Sequence, residues 1–315
     1  MATFERYGEI AVSAAVDAVR VTFLQYLWFI VPLLLFGLLV HVLNNMTFRA
    51  VQSASLNIRG FELATGWIGV PVHEIGHAVF CVLFGHKIHK LMLFDPAAPP
   101  GEPLGYFRNS YDPTDATHVV GDFFVRIGPL PFGSLVLVTV FRLLVPDSSG
   151  LFEKIWSLGD HKCIEAPLLY AFGLEAHSLA EVVIRTAGIL LSPSSFRTPQ
   201  FWLFLYLAIC VSCYLRLSHA DVEPLRGIAW VVPIYMLQIN TLFVVLELLS
   251  KTPWLSILGR ISVSGYTRAI LGYLSMMTAI LAITATLTLA AFLICYAISA
   301  VYSLIRQQRM PNPFR

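Results

Sequence analysis

Charge is what this sequence has least of. Only 13% of its 315 residues are Asp, Glu, Lys or Arg, against 57% hydrophobic, and mean hydropathy is +0.72. Soluble globular domains carry about a quarter charged residues, so that class is excluded. Several apolar runs reach the roughly 20 residues that a span needs, and a polytopic helical membrane protein is expected. The few charges nearly cancel, at a net +2, which leaves no basic excess for a nucleic-acid partner. Cysteine is also scarce. Cys81, Cys210, Cys213 and Cys295 lie in or beside apolar runs and Cys163 lies in a polar stretch, so no disulfide framework is readable. Cys210 and Cys213 have C-x-x-C spacing but read as packing residues within a span. A basic leader is missing too: Glu5, Glu9 and Asp17 lie ahead of or within the start of a first apolar run of span length, so no cleavable signal peptide is expected. No internal repeat is visible.

What is present divides the chain into apolar and polar stretches. Residues 1–20 read as a short amphipathic helix at the membrane surface. Spans are expected at Val21–Leu43, Phe61–Gly85, Val119–Val145, Phe201–Leu217 and Ile228–Leu249, with one long tilted helix over Ala269–Leu304, six in all. Asn44–Gly60 and Lys251–Arg268 read as connections. Lys87–Phe94 and Leu104–Tyr111 have strand character and flank the proline-rich turn Asp95–Pro103, so the 86–118 insertion predicts a β-hairpin at the membrane surface. Pro146–Gln200 is too polar to span and contains an interfacial helix over Ala171–Leu191. Basic residues tie between the two sides. Discounting the long loop favours both termini on the cytoplasmic side of a membrane taken as a prokaryotic cytoplasmic membrane.

The chemistry concentrates in the second span, where His73-Glu74-Ile75-Gly76-His77 has the pattern H-E-x-x-H. Residues four apart share a helix face, so His73 and His77 can both reach one metal ion. Glu74, beside the first ligand, is placed to act as general base. Ionisable groups in an apolar span are costly, and they default to functional or paired roles. A zinc ion held by two histidines still needs a third protein ligand and an open position. A second group of candidate ligands, His219, Asp221 and Glu223, follows the fourth span. Within the third span, Asp122 and Arg126 are four apart and read as a helix-face ion pair, though Arg126 facing the site is a second reading. The run Gly128-Pro-Leu-Pro-Phe-Gly133 breaks or thins that span, allowing close helix packing or a cavity. His86, His89, His161 and His177 read as interfacial or solvated rather than as ligands.

This order of H-E-x-x-H, Gly-Pro break and later acidic residue resembles the site-2 protease family of intramembrane zinc metalloproteases. The resemblance implies a three-span core over residues 61–227, with residues 1–60 and 228–315 as additions. It implies one Zn2+ per chain on His73, His77 and Asp221, with Glu74 as catalytic base toward a zinc-activated water. It makes membrane-embedded protein chains the substrates and the lipid bilayer the surroundings. The family often carries Asn-x-x-Pro ahead of Leu-Asp-Gly, whereas here Ser218-His219-Ala220 precede Asp221 and Val222-Glu223 follow it. His219 and Glu223 therefore stay open as third ligands, and Asn240 becomes a candidate for the missing amide. Gly128, Pro129 and Asn240 are the candidate substrate-binding residues. An edge of the hairpin could hold an unwound substrate as an added strand.

Three other readings stand beside this one. A zinc transporter or sensor would string ligands across the membrane. A prenyl-protein-processing metalloprotease would take its third ligand from Glu175 or Glu181. A catalytically inactive scaffold would have no use for Glu74.

Overall fold

A computed structural model describes residues 2–99, 102–145, 148–158, 168–216, 221, 223, 230–250, 263–307 and 310–313. The chain is helical apart from one two-stranded sheet. In order come α1 (Ala2–Ser53), α2 (Ile58–Leu83), β1 (Lys87–Met92), β2 (Tyr106–Ser110), α3 (Ala116–Ile127), α4 (Pro129–Leu144), α5 (Ser149–Leu158), α6 (Leu168–Leu190), α7 (Pro193–Phe196) and α8 (Pro199–Ser212). Two long helices, α9 (Val231–Ser250) and α10 (Val263–Gln307), follow.

Four helices have the length and apolarity to cross a membrane, or five when α3 and α4 count as one span bent by 50°. The remaining expected span is α8, whose 14 residues rise about 21 Å at 1.5 Å each. A bilayer core is about 30 Å thick.

The first boundary differs from expectation. No break separates a surface helix from the first span, and Asn44–Ser53 is helix rather than connection. Two of its polar side chains find partners on the same helix: Thr47 Oγ1 donates to the Leu43 carbonyl at 2.9 Å, and Asn45 bonds His41. The stop comes at Ser55, whose φ of 57° lies in the left-handed region. Asn57 then caps α2 by accepting from the Gly60 N–H at 3.0 Å. The expected loop at Lys251–Arg268 also shortens, since α10 already begins at Val263.

α10 is the central post. Two-thirds of its most apolar window is buried, against 28% for α1 and 17% for α9. The core gathers around it, with Phe141, Phe204, Leu137, Leu281, Ile283 and Leu287 among the residues most completely shielded. Cys81, Cys210, Cys213 and Cys295 are all buried and free, in keeping with a packing role.

α2 packs against α3, α4, α8 and the sheet. It runs straight through Pro71. Glycines set its closest approaches. A β-carbon at Gly76 would fall 2.7 Å from Pro129 Cα, and one at Gly69 would strike the Cys210 carbonyl. The Gly128–Pro129 break thus serves close packing: it lets the α3–α4 turn sit directly on the backbone of α2 between Glu74 and His77.

The sheet pairs antiparallel, Lys87 opposite Ser110 and Met92 opposite Tyr106, with an irregularity at His89. Both strands are shorter than their sequence signal because the residues nearest the turn leave the ladder. The hairpin does not stand off at the end of α2 but folds back along it. Asn109 bonds His86 at the C-terminal end. Phe107 stacks on His77. Gly105 lies against Val70 and Glu74, and Leu104 and Phe94 lie against Gly66. At the far end Arg59 donates to the carbonyls of Pro96 and Ala98.

Candidate metal centre

His73 and His77 lie one turn apart on α2. The geometry that matters is on their far sides. His73 Nδ1 is 2.7 Å from the Tyr214 carbonyl oxygen, and His77 Nδ1 is 2.7 Å from the Val125 carbonyl oxygen. A carbonyl only accepts, so each Nδ1 carries the proton. In the neutral rings both Nε2 atoms then present lone pairs, and these face each other at 3.2 Å. Asp221 Oδ1 lies 3.7 Å from His77 Nε2, and the candidate ligand atoms of all three residues fall within 4.8 Å of one another.

Three electron-pair donors converging in a buried place call for a cation. Two nitrogens on a tetrahedral zinc at about 2.0–2.1 Å are about 3.3 Å apart, close to the separation seen. Asp221 stands somewhat wider than that tetrahedral edge. The donor set of two imidazoles and one carboxylate therefore fits a zinc-like ion and leaves a fourth position open. Held this way, each histidine has an outer partner that fixes its tautomer and ring plane, as metal-binding histidines generally do.

Each wall of the site comes from a different element. Val125 belongs to the last turn of α3, so the ion pair of Arg126 with Asp122, 2.7 Å long, steadies the strip of helix that holds His77. Tyr111 bonds the same carboxylate from the base of the hairpin. Tyr214 follows the end of α8, and its hydroxyl donates to the Glu62 carbonyl of α2 at 3.2 Å. Arg216 bonds Asn45 of α1 and lies over Phe48, anchoring the segment that leads to Asp221. On the remaining side β2 lies over the metal helix. The Phe107 ring stacks on His77 with centroids 5.6 Å apart and planes 11° from parallel. Glu74 is 7% exposed and lies beside Gly105, where a β-carbon would come within 3.2 Å of Glu74 Cγ.

The structure thus brings His73, His77 and Asp221 together, with Glu74 alongside. Glu223 is exposed and outside the cluster, and His219 lies outside the described residues. Gly128 and Pro129 are buried against Gly76. The Asn240 amide donates to Thr22 and Gln25 on α1, at 2.9 and 3.0 Å, so it is engaged in joining α9 to α1. His86 bonds the His118 carbonyl and His89 bonds Ser110, both as joints of the hairpin. Sequence reasoning missed the two carbonyls that orient the ligands, because backbone groups have no sequence signature. It also missed Phe107 and Gly105. The one available signal was that Gly105 interrupts a strand, which marks a close approach.

No protein-family model, curated protein or solved structure matches this chain.

Proposed function

We propose that this chain is an intramembrane zinc metalloprotease of the site-2 protease type, hydrolysing peptide bonds of membrane-embedded proteins. The observation that carries the reading is the pair of histidines whose Nδ1 atoms are tied to backbone carbonyls. Their Nε2 atoms converge with Asp221 beside a buried glutamate.

A zinc ion held by His73, His77 and Asp221 would polarise the scissile carbonyl and acidify water. The Glu74 carboxylate takes the proton of the attacking water as its oxygen bonds the carbonyl carbon. It returns that proton to the amide nitrogen as the C–N bond breaks. The carbonyls of Tyr214 and Val125 keep both imidazoles in the tautomer this requires. β2 shields the site from bulk water, and its backbone groups offer an unwound substrate an extended partner.

Transport and sensing fit less well. Among the described residues His73, His77 and Asp221 form the one group of three able to hold a metal, and no string of ligands leads away from it. The carboxylates that a prenyl-processing enzyme would use are engaged elsewhere. Glu175 bonds Ser275 of α10, and Glu181 pairs with Lys154 and Arg185.

Metal analysis of the purified full chain, beside cleavage of a co-expressed single-span reporter, tests the proposal. About one zinc per chain is expected, lost in His73→Ala and Asp221→Ala. Glu74→Gln should keep the metal while cleavage falls by about 10²–10⁴-fold, the usual contribution of a general base. Zinc-free wild type after zinc supply, or a Glu74→Gln variant that cleaves normally, overturns it.

A further inference from the structure

At the end of the bundle where α4 stops and α8 starts, α5, α6 and α7 line an open cavity of about 310 Å³ that has no part in the metal centre. Arg185, Ser192 and Ser195 supply its polar lining, and Gly150 and Gly188 widen it. A β-carbon at either glycine would meet nothing within 4 Å, so the space is open rather than filled by neighbours. Leu151 and Ile189 complete the wall with apolar surface.

Lys154, Arg185 and Glu181 together carry one positive charge. Lys154 and Arg185 both pair with Glu181, at 2.8 Å each. Arg185 spends Nε and one Nη on that carboxylate, leaving its other Nη with two donors. The Ser192 hydroxyl adds a donor that it otherwise shares with Ser194, 2.7 Å away. Gly150 is in the first turn of α5, where backbone N–H groups have no acceptor within the helix.

The surroundings mark a membrane boundary. α8 begins its apolar run here, with Trp202 56% exposed one turn in and Trp156 of α5 77% exposed. Exposed tryptophans beside basic residues are the signature of the headgroup level. Ile184 of α6 and Leu191 just past its end, both more than two-thirds exposed, add apolar surface beside the cavity-lining residues Arg185 and Ser192.

We propose that this cavity binds a phosphate monoanion or diester, with an anionic phospholipid headgroup as the source its position favours. Arg185 and Ser192 hold the phosphate, Gly150 and Gly188 give it room, and the acyl chains lie over Ile184 and Leu191. The volume is at the lower end of the roughly 300–1,000 Å³ of small-ligand sites, which suits a headgroup better than a whole soluble cofactor. The inference is independent of the proposed proteolysis.

Native mass spectrometry of the full chain released from detergent tests it, with phosphatidylglycerol, phosphatidylcholine or inorganic phosphate added. Wild type should retain phosphatidylglycerol at about tenfold lower lipid concentration than phosphatidylcholine, the scale of one charge-assisted hydrogen bond. Arg185→Gln removes the cation, and Gly188→Leu puts a side chain into the cavity at a position where a β-carbon meets nothing within 4 Å; each should abolish that preference. Competition by millimolar inorganic phosphate makes free phosphate the ligand, whereas preference without competition assigns the lipid. Equal retention of both lipids by wild type, or an undiminished preference in a folded Arg185→Gln variant, overturns the proposal. Unchanged zinc content and melting midpoint show that a variant has folded.

Discussion

Gly76 is the residue on which the metal helix depends most directly. A side chain there meets Pro129 Cα at 2.7 Å and Pro129 N at 2.9 Å, both backbone atoms of a buried turn that no rotamer change relieves. Gly76→Ala should therefore destabilise by about 1–3 kcal/mol through overpacking, despite the gain of about 1 kcal/mol that Ala brings to a helix interior. Gly173 of α6 is the control, because a β-carbon there meets nothing within 4 Å. Gly173→Ala should be neutral or stabilising by up to about 1 kcal/mol. Thermal unfolding in detergent reads both. Equal midpoints would mean that α2 and the Gly128–Pro129 turn are not in contact. The motif spacing that pairs His73 with His77 was legible because a helix repeats every 3.6 residues. That Gly76 serves the turn in α3–α4 was not, since contact between elements is written in no local pattern.

At the scale of elements, the hairpin is fastened at its two ends by different chemistry. At the tip Arg59 holds two carbonyls. At the base His86 donates through Nε2 to the His118 carbonyl at 3.0 Å and accepts at Nδ1 from the Asn109 amide at 3.2 Å. That bonding pattern requires the neutral ring. Burial holds His86 below its ordinary value; the hydrogen bond to the His118 carbonyl and the nearby Asp122 charge work the other way, and the His118 ring adds to the lowering. Because the folded value is depressed, the joint is fully stable above the unfolded value of about 6.5. It weakens as pH falls from there toward the folded value. Protection factors of the β1 and β2 amides, with the intrinsic pH dependence of exchange divided out, should thus fall between about pH 7.5 and 5.5 in wild type and stay level in His86→Gln. Arg59→Gln should speed exchange around Pro96–Ala98 at both pH values, because local opening there loses its one guanidinium clasp. Exchange indifferent to both changes would show the hairpin held by stacking on His77 alone. The two strands were readable from β-branched and aromatic alternation, but their direction along α2 was not. Arg59 and its carbonyl partners are separated by 37 and 39 residues, and nothing in either stretch announces the other.

For the whole molecule the open quantity is whether α8 crosses the bilayer. Its helix gives about 21 Å. Three further residues continue it: Cys213 N–H bonds the Ile209 carbonyl as in an α-helix, and in tighter turns Tyr214 N–H bonds that of Val211 and Leu215 N–H that of Ser212. At up to about 2 Å each these add about 6 Å, bringing the total to about 27 Å, within a few Å of the thickness of a hydrocarbon core. Irregular backbone is tolerated at that depth only inside protein. Cys213 and Leu215 are buried, and the Tyr214 carbonyl is occupied by His73. The segment that would complete a short span is thus the one whose Tyr214 carbonyl orients His73. Apolar run length alone could not show this. If α8 crosses, six spans put both termini and the hairpin base on one side, with α5–α7 on the other. If it does not, the C-terminal end of α10 moves to the side of α5–α7. Single cysteines at Lys87, Ser157 and Asn312, in a background lacking the native cysteines, separate the two with a membrane-impermeant maleimide. We expect Lys87→Cys and Asn312→Cys to label from one face and Ser157→Cys from the opposite face. Labelling of Asn312→Cys together with Ser157→Cys would reduce the span count to five. It would also require Asp221 to reach the metal centre without α8 having crossed.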